Sequence, residues 1–239
     1  MCGRFALSIV PAQFQRVFGC APPEGLAARY NVTPDTAIVI VRAGPQGTPE
    51  AVFARWGLLG PWMKEANDPG RQINARSETA AEKPMFRDVF RKSRCLIPAL
   101  GFYEWQKAGG GPSRPFYIAL ASGEPFAFAG LWRASRLADG TVLETCTILT
   151  TDAYPSLKPI HHRMPVILPE ASQALWLDPA VKDPEFVQAL LTPRPEREFV
   201  AHEVGRAVNN PRNDGPALLE PAGRPASAPD PGPAQGSLL

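Results

Sequence analysis

The sequence predicts an α+β fold: one domain built on a curved, barrel-like, mostly antiparallel sheet flanked by short helices. Two observations predict it. Short apolar and β-branched runs follow one another with few helical segments between them, so strands should pair with sequence neighbours rather than through alternating crossover helices. A chain of 239 residues can also bury one sizeable core without help from disulfides or metal.

In chain order, PAQFQRVFG at 11–19 opens on Pro and closes on Gly, the asymmetry of a short helix. AIVIV at 37–41 and AVFARWG at 51–57 read as strands. KPMFRDVFRKS at 83–93 reads as an amphipathic helix packed by Met85, Phe86 and Phe90, with Arg87, Arg91, Lys92 and the following Arg94 on a solvated basic face. RCLIPA at 94–99, FYIAL at 116–120, FAFAGLW at 126–132, CTILT at 146–150 and PVIL at 165–168 complete the expected strands. PEASQALWL at 169–177 and DPEFVQALL at 183–191 close the domain as helices, the second with an Asp cap. No repeat or linker divides residues 1–220. From Pro221 onward five Pro and three Gly among 19 residues leave too little apolar material to offset ordering entropy, so 221–239 is expected to be a disordered tail.

Charge gives little away. Lys and Arg total 25 against 23 Asp and Glu, which excludes a polybasic protein that grips nucleic acid or membrane with its whole surface, though not a local basic groove. The basic set is lopsided, 19 Arg to 6 Lys, and Pro at 28 residues is about twice the usual share; a GC-rich genome accounts for both. Cys2, Cys20, Cys95 and Cys146 form no CxxC pair, and with three His the spacings of zinc ribbons and fingers are absent, so no metal is expected. Neither a signal peptide nor a run of about 18 apolar residues occurs. A cytoplasmic protein with reduced thiols is expected.

Cys2 is the first residue with a chemical implication. Aminopeptidases remove Met1 when a small residue follows, which leaves a 1,2-aminothiol. The amine has an ordinary pKa of about 7.7–8.0 and the thiol about 8.5, so both are partly nucleophilic near neutrality. The amine attacks an aldehyde to give an imine, and the thiol then closes a five-membered thiazolidine. The same residue also suits an N-terminal nucleophile hydrolase, with the amine as base; an incidental cysteine at a frayed terminus is the bland alternative.

Three further segments carry candidate groups, each beside a plainer reading. In INARSET, Asn74 can position an amine and Arg76 can hold phosphate, or the run is an ordinary turn. In CLIPALGFYEWQ a buried-looking strand ends in Glu104, between Tyr103 and Trp105, where desolvation would raise its pKa for acid/base work, or it points to solvent from an edge strand. In KPIHHRMPVIL, His161 and His162 precede a strand; on extended backbone they face opposite ways, which argues against a metal pair. His202 reads as structural. Trp56, Trp62 and Trp105 with nearby Arg and Lys suit single-stranded nucleic acid, whose bases stack on rings while cations follow phosphates, although Trp56 also fits the core.

MCGRF at the start, RYNVTP at 29–34, RWGLLGPW, INARSET, KPMFR, CLIPALGFYEW, ILTTDA, IHHRMPVIL and VNNPRNDGP at 208–216 occur in one fixed order. Together they resemble the SRAP family, the abasic-site processing proteins, over about residues 1–220. The resemblance implies a single SRAP-like domain with a positively charged groove for single-stranded DNA. It implies that Met1 is removed and that Cys2 forms a covalent thiazolidine crosslink with the ring-opened sugar of an abasic site, without a cofactor and as a monomer. By motif, Asn74 orients the amine, Glu104 is the acid/base carboxylate and His161 the proton shuttle. Arg4, Trp62, Arg76, Trp105, Thr150 and Arg163 take the DNA-contacting positions. The resemblance also implies weak lyase activity by β-elimination from the imine. Two departures stand out: Met63 after Trp62, and His162, a second imidazole that bears on pH dependence. An autoproteolytic cysteine peptidase and a non-catalytic reader of modified DNA are the rival readings.

Overall fold

The structure is a computed structural model that describes residues 2–107 and 109–223. It consists of β1 (Phe5–Leu7), α1 (Pro11–Phe18), β2 (Arg29–Val32), β3 (Ala37–Ala43), β4 (Pro49–Trp56), β5 (Asn74–Arg76), α2 (Ser77–Ala80), α3 (Arg87–Lys92), β6 (Arg94–Ala99) and β7 (Gly101–Gln106). Then come β8 (Arg114–Leu120), β9 (Phe126–Arg136), β10 (Val142–Asp152), β11 (Arg163–Pro165), β12 (Ile167–Leu168), α4 (Glu170–Leu177), α5 (Pro184–Ala189) and β13 (Phe199–Glu203). Short 3-10 turns, Arg206–Asn209 and Pro216–Leu219 among them, follow.

The strands form two sheets. In the larger, β10, β4, β3, β6 and β9 follow in order and β9 pairs back onto β10, which closes a barrel and removes its edges. Only the pairings of β10 with β4 and, further along, with β5 are parallel. The second sheet runs β13-β8-β7-β1-β2 and is antiparallel throughout. An aromatic seam joins the two: Phe5 meets Trp56 at 5.4 Å and Phe128 at 5.8 Å, and Phe102 meets Phe128 at 6.1 Å, all edge to face. The α+β, barrel-like expectation is borne out, and Trp56 is core, with none of its surface exposed.

Local chemistry explains the elements and the differences from expectation. Pro11 starts α1, Gly19 ends it at φ 73°, and Phe14 and Phe18 pack on its buried face with tilted rings 4.9 Å apart. The helix expected at 83–93 is confined to Arg87–Lys92, because Pro84 disfavours helical backbone at Lys83. The strand expected to run through CLIPALGFYEWQ is broken at Leu100, whose N–H bonds to the Ala6 carbonyl. Its first half joins the barrel as β6, and its second half becomes β7, an interior strand of the other sheet. The solvent-facing edge reading of Glu104 therefore fails. Asn74–Arg76 is a strand, not a turn, and β1, β2 and β13 lie in stretches with no strand signal strong enough to single out. The tail expected from 221 begins within the described chain, where Val204 bridges to Pro221 and Ala222 donates to Glu203. From 224 on it lies outside the described residues, as does Met1.

Arg94 does not belong to the basic face of α3. It is buried and donates to the carbonyls of Phe90, Arg91, Trp176, Asp178 and Val181. One guanidinium thus satisfies the carbonyl ends of α3 and α4 together. Arg94→Ala should cost about 3–5 kcal/mol by stranding those acceptors, lowering Tm by roughly 10 °C in a thermal melt; an unchanged Tm would contradict this role.

Candidate active site

The N-terminal residues extend β1 along β7. Phe5 lies opposite Phe102, and Arg4 accepts from the Tyr103 N–H at 2.9 Å, so the extended register sets Gly3 opposite Glu104 and brings Cys2 to the carboxyl. Cys2 is fully buried. Burial, then the Glu104 charge, pushes its thiol well above the ordinary range. From the barrel side, Asn74 at the start of β5 donates through Nδ2 to the Cys2 carbonyl at 2.8 Å. Its Oδ1 is buried with no hydrogen-bond partner among the described residues. An acceptor thus sits beside the backbone of Cys2, where an amine would be held.

Glu104 is 4% exposed, and burial raises its pKa to about 7. Its Oε1 is 4.0 Å from Nδ1 of His161. That Nδ1 lies 3.0 Å from the N–H of Arg163, and burial lowers the imidazole pKa. Phe102, Ile118, Leu157 and Met164 wall a cavity of about 10 Å³ beside these groups, room for one water at most. The expectation that His161 and His162 face opposite ways fails. Their rings stack at 4.4 Å, because the segment is a turn leading into β11 rather than extended strand.

Four residues far apart in sequence therefore converge. Cys2 and Glu104 come from the second sheet, Asn74 and His161 from the barrel sheet and the turn before β11. The expected DNA-contacting residues fall into two kinds. Trp62 is 58% exposed, on a loop pinned by the Asp35–Arg71 pair and by Arg55 bonds to Ala66 and Asn67. Arg76 is exposed at the end of β5, opposite Thr150 of β10; Thr150 is itself buried, with Oγ1 3.4 Å from the Ala75 carbonyl. Arg4, Trp105 and Arg163 are engaged within the protein. Arg4 Nη1 bonds to Asn31 Oδ1 at 2.6 Å and the Val208 carbonyl at 2.8 Å, and its guanidinium lies 5.7 Å from the Trp105 ring. Trp105 Nε1 donates to Asn209 at 2.7 Å. Arg163 is buried and bridges Glu78 bidentately, Asp152 and the Thr150 carbonyl.

Asn31, Asp152 and Asn209 escaped sequence reasoning as site residues, and Glu78 was given no role, although all four lie in the quoted motifs. Their signal is a polar side chain inside an otherwise apolar or turn motif, which becomes informative only once burial is known. His202 is structural as expected, with Nε2 2.8 Å from the Leu219 carbonyl.

A buried thiol, an amide, a carboxyl with a raised pKa and an imidazole thus gather at the seam of a closed barrel and a second sheet, a grouping chemically able to exchange protons around a cysteine. Residues 1–211 match the family described as SOS response associated peptidase (SRAP), and the chain belongs to that family. It is 39% identical over 224 residues to "Abasic site processing protein YoqW" of Bacillus subtilis (strain 168), covering 92% of this chain and 99% of that protein. It is 32% identical over 233 residues to "Abasic site processing protein YedK" of Escherichia coli (strain K12), covering 92% and 100%. The crystal structure of a Bacteroides thetaiotaomicron protein matches with a TM-score of 0.80 at 25% identity, covering 92% of this chain and all of the other.

Proposed function

We propose that this protein processes abasic sites in single-stranded DNA, capturing the ring-opened sugar as a thiazolidine on Cys2 once Met1 is removed. The observation that carries the reading is the Asn74 amide, which bonds to Cys2 through Nδ2 and leaves a buried Oδ1 to accept from the α-amine. His161 moves a proton at the sugar oxygen to open the ring. The amine adds to the C1 aldehyde, Glu104 protonates the departing hydroxyl and water leaves, giving the imine. The thiol then adds across the C=N bond: sulfur bonds to C1, and its proton goes to nitrogen by way of Glu104. Amine, thiol and aldehyde thus become thiazolidine and one water. An imine that escapes ring closure undergoes β-elimination, a minor lyase branch. Lacking a base to read, the protein contacts phosphates and neighbouring bases, as a monomer acting on the nucleoid.

The names of the relatives support this reading, as do the exposed Trp62 and Arg76. A thiol raised well above its ordinary range suits late ring closure better than thiolate attack on a peptide. Incubating the mature protein with a single-stranded oligonucleotide carrying one abasic site should give a heat-stable adduct on a denaturing gel, its intact mass short of the sum by one water. No adduct overturns the reading; peptide cleavage without one favours a peptidase, and binding without one a reader. Trp62→Ala should weaken oligonucleotide binding by about 5- to 100-fold, the loss of one stacked base, with Tm unchanged because the ring is mostly in solvent. An unaltered Kd would remove Trp62 from the interface.

A further inference from the structure

Two motifs without a role in this chemistry, RYNVTP and VNNPRNDGP, meet beside Arg4. Asn31 is 2% exposed, and its Nδ2 faces the carbonyls of Val208, Asn210 and Asn213 at 3.3, 3.1 and 2.8 Å. Its Oδ1 accepts from Arg4 Nη1 at 2.6 Å. Asp214 returns the contact by accepting from the Asn31 N–H at 3.1 Å. Arg4 also donates to the Val208 carbonyl and faces Trp105, whose indole is held by Asn209.

The position of Cys2 depends on how β1 is registered, and the ladder alone fixes that weakly. β1 has three residues, and its pairing with β2 shifts register between Phe5 and Leu7. A slip of one residue would turn every side chain of the strand to its other face, carrying Cys2 away from Asn74 and Glu104. Arg4 lies two residues from Cys2, and the anchoring of its guanidinium on a buried amide opposes such a slip.

We propose that Asn31 is a positioning residue for Cys2, acting through Arg4: its Oδ1 holds the guanidinium, and the guanidinium sets the register of the reactive N-terminus. Its kinetic consequence rests on the crosslinking reading; its structural consequence does not. Asn31→Ala removes both ends of the clamp, whereas Asn31→Asp keeps an oxygen for Arg4 and loses the donors to the loop. Arg94→Ala serves as a control that destabilises other elements.

Two readouts test it. The first is alkylation of Cys2 by iodoacetamide, followed by peptide mass mapping and independent of DNA. Asn31→Ala should react at least tenfold faster than wild type, while Asn31→Asp and Arg94→Ala stay protected. The second is the adduct rate at saturating abasic oligonucleotide. Asn31→Ala should be at least tenfold slower, Asn31→Asp should recover most of the rate although it melts as early as Asn31→Ala, and Arg94→Ala should match wild type. Equal behaviour of the two Asn31 variants in both readouts, or of Arg94→Ala and Asn31→Ala, overturns the proposal. Wild type forming no adduct sinks the crosslinking reading instead, and alkylation alone then decides the positioning role.

Discussion

Replacing Cys2 with alanine is expected to abolish the heat-stable adduct while leaving oligonucleotide binding intact. The variant is still processed behind Met1 and keeps its α-amine, so the aldehyde can still be captured as an imine. Ring closure is impossible, and the imine reverses or eliminates. The adduct in Cys2→Ala should therefore survive denaturation only after borohydride reduction, and strand cleavage should rise relative to wild type. Removing one buried sulfur costs about 1 kcal/mol, too little to unfold the domain. A heat-stable adduct in this variant without reduction would place the bond on another residue and end the thiazolidine mechanism.

Glu104→Gln is expected to slow adduct formation at neutral pH by about 10²- to 10⁴-fold, the range for loss of a positioned acid/base group. The carboxyl titrates at about 7 in the folded protein against 4.5 ordinarily, so near neutrality it can donate and accept. Because water leaves from the protonated form, the limb of the wild-type rate that depends on Glu104 should fall above about pH 7 and vanish in the glutamine variant. Stability carries the same signature. A raised folded pKa means that the native state binds more protons than the unfolded state between the two values, so wild-type stability declines as pH rises from about 4.5 to 7 and then levels off. The full decline is on the order of 3 kcal/mol. Glu104→Gln cannot ionise and should lack that slope, so its Tm should exceed that of wild type above pH 7. A wild-type Tm profile identical to that of the variant would mean that Glu104 is ionised with an ordinary pKa.

Barrel strands such as AIVIV and FAFAGLW were legible because each is a continuous apolar run bounded by turns. What was not legible is where the chain changes sheets. CLIPALGFYEWQ reads as one strand, and only the bond from Leu100 to Ala6 divides it between two layers. Three-residue strands such as β1 and β5 are too short for periodicity and exist because longer neighbours supply partners. Within the site, Cys2 was legible from chemistry alone, since no other position offers an amine beside a thiol. Asn74, Glu104 and His161 acquired roles through the motif order; their separate signals were those of a turn, an edge strand and an extended segment, and the structure departs from all three. The arginines show the sharpest divide. Nothing in the sequence separates Arg76, in solvent at a strand end, from Arg94, which closes two helices from within.

The seam between the sheets sets a limit on how the protein can fail. Cys2 and Glu104 lie on one sheet, Asn74 on the other and His161 in the segment leading into β11, so under the proposed chemistry a transient parting of the layers would dismantle the site while both ladders stayed intact. Activity is then governed by the free energy of that partial opening rather than by global unfolding. Amide hydrogen exchange along β1 and β5 would report the lifetime of a working site more directly than any melting curve.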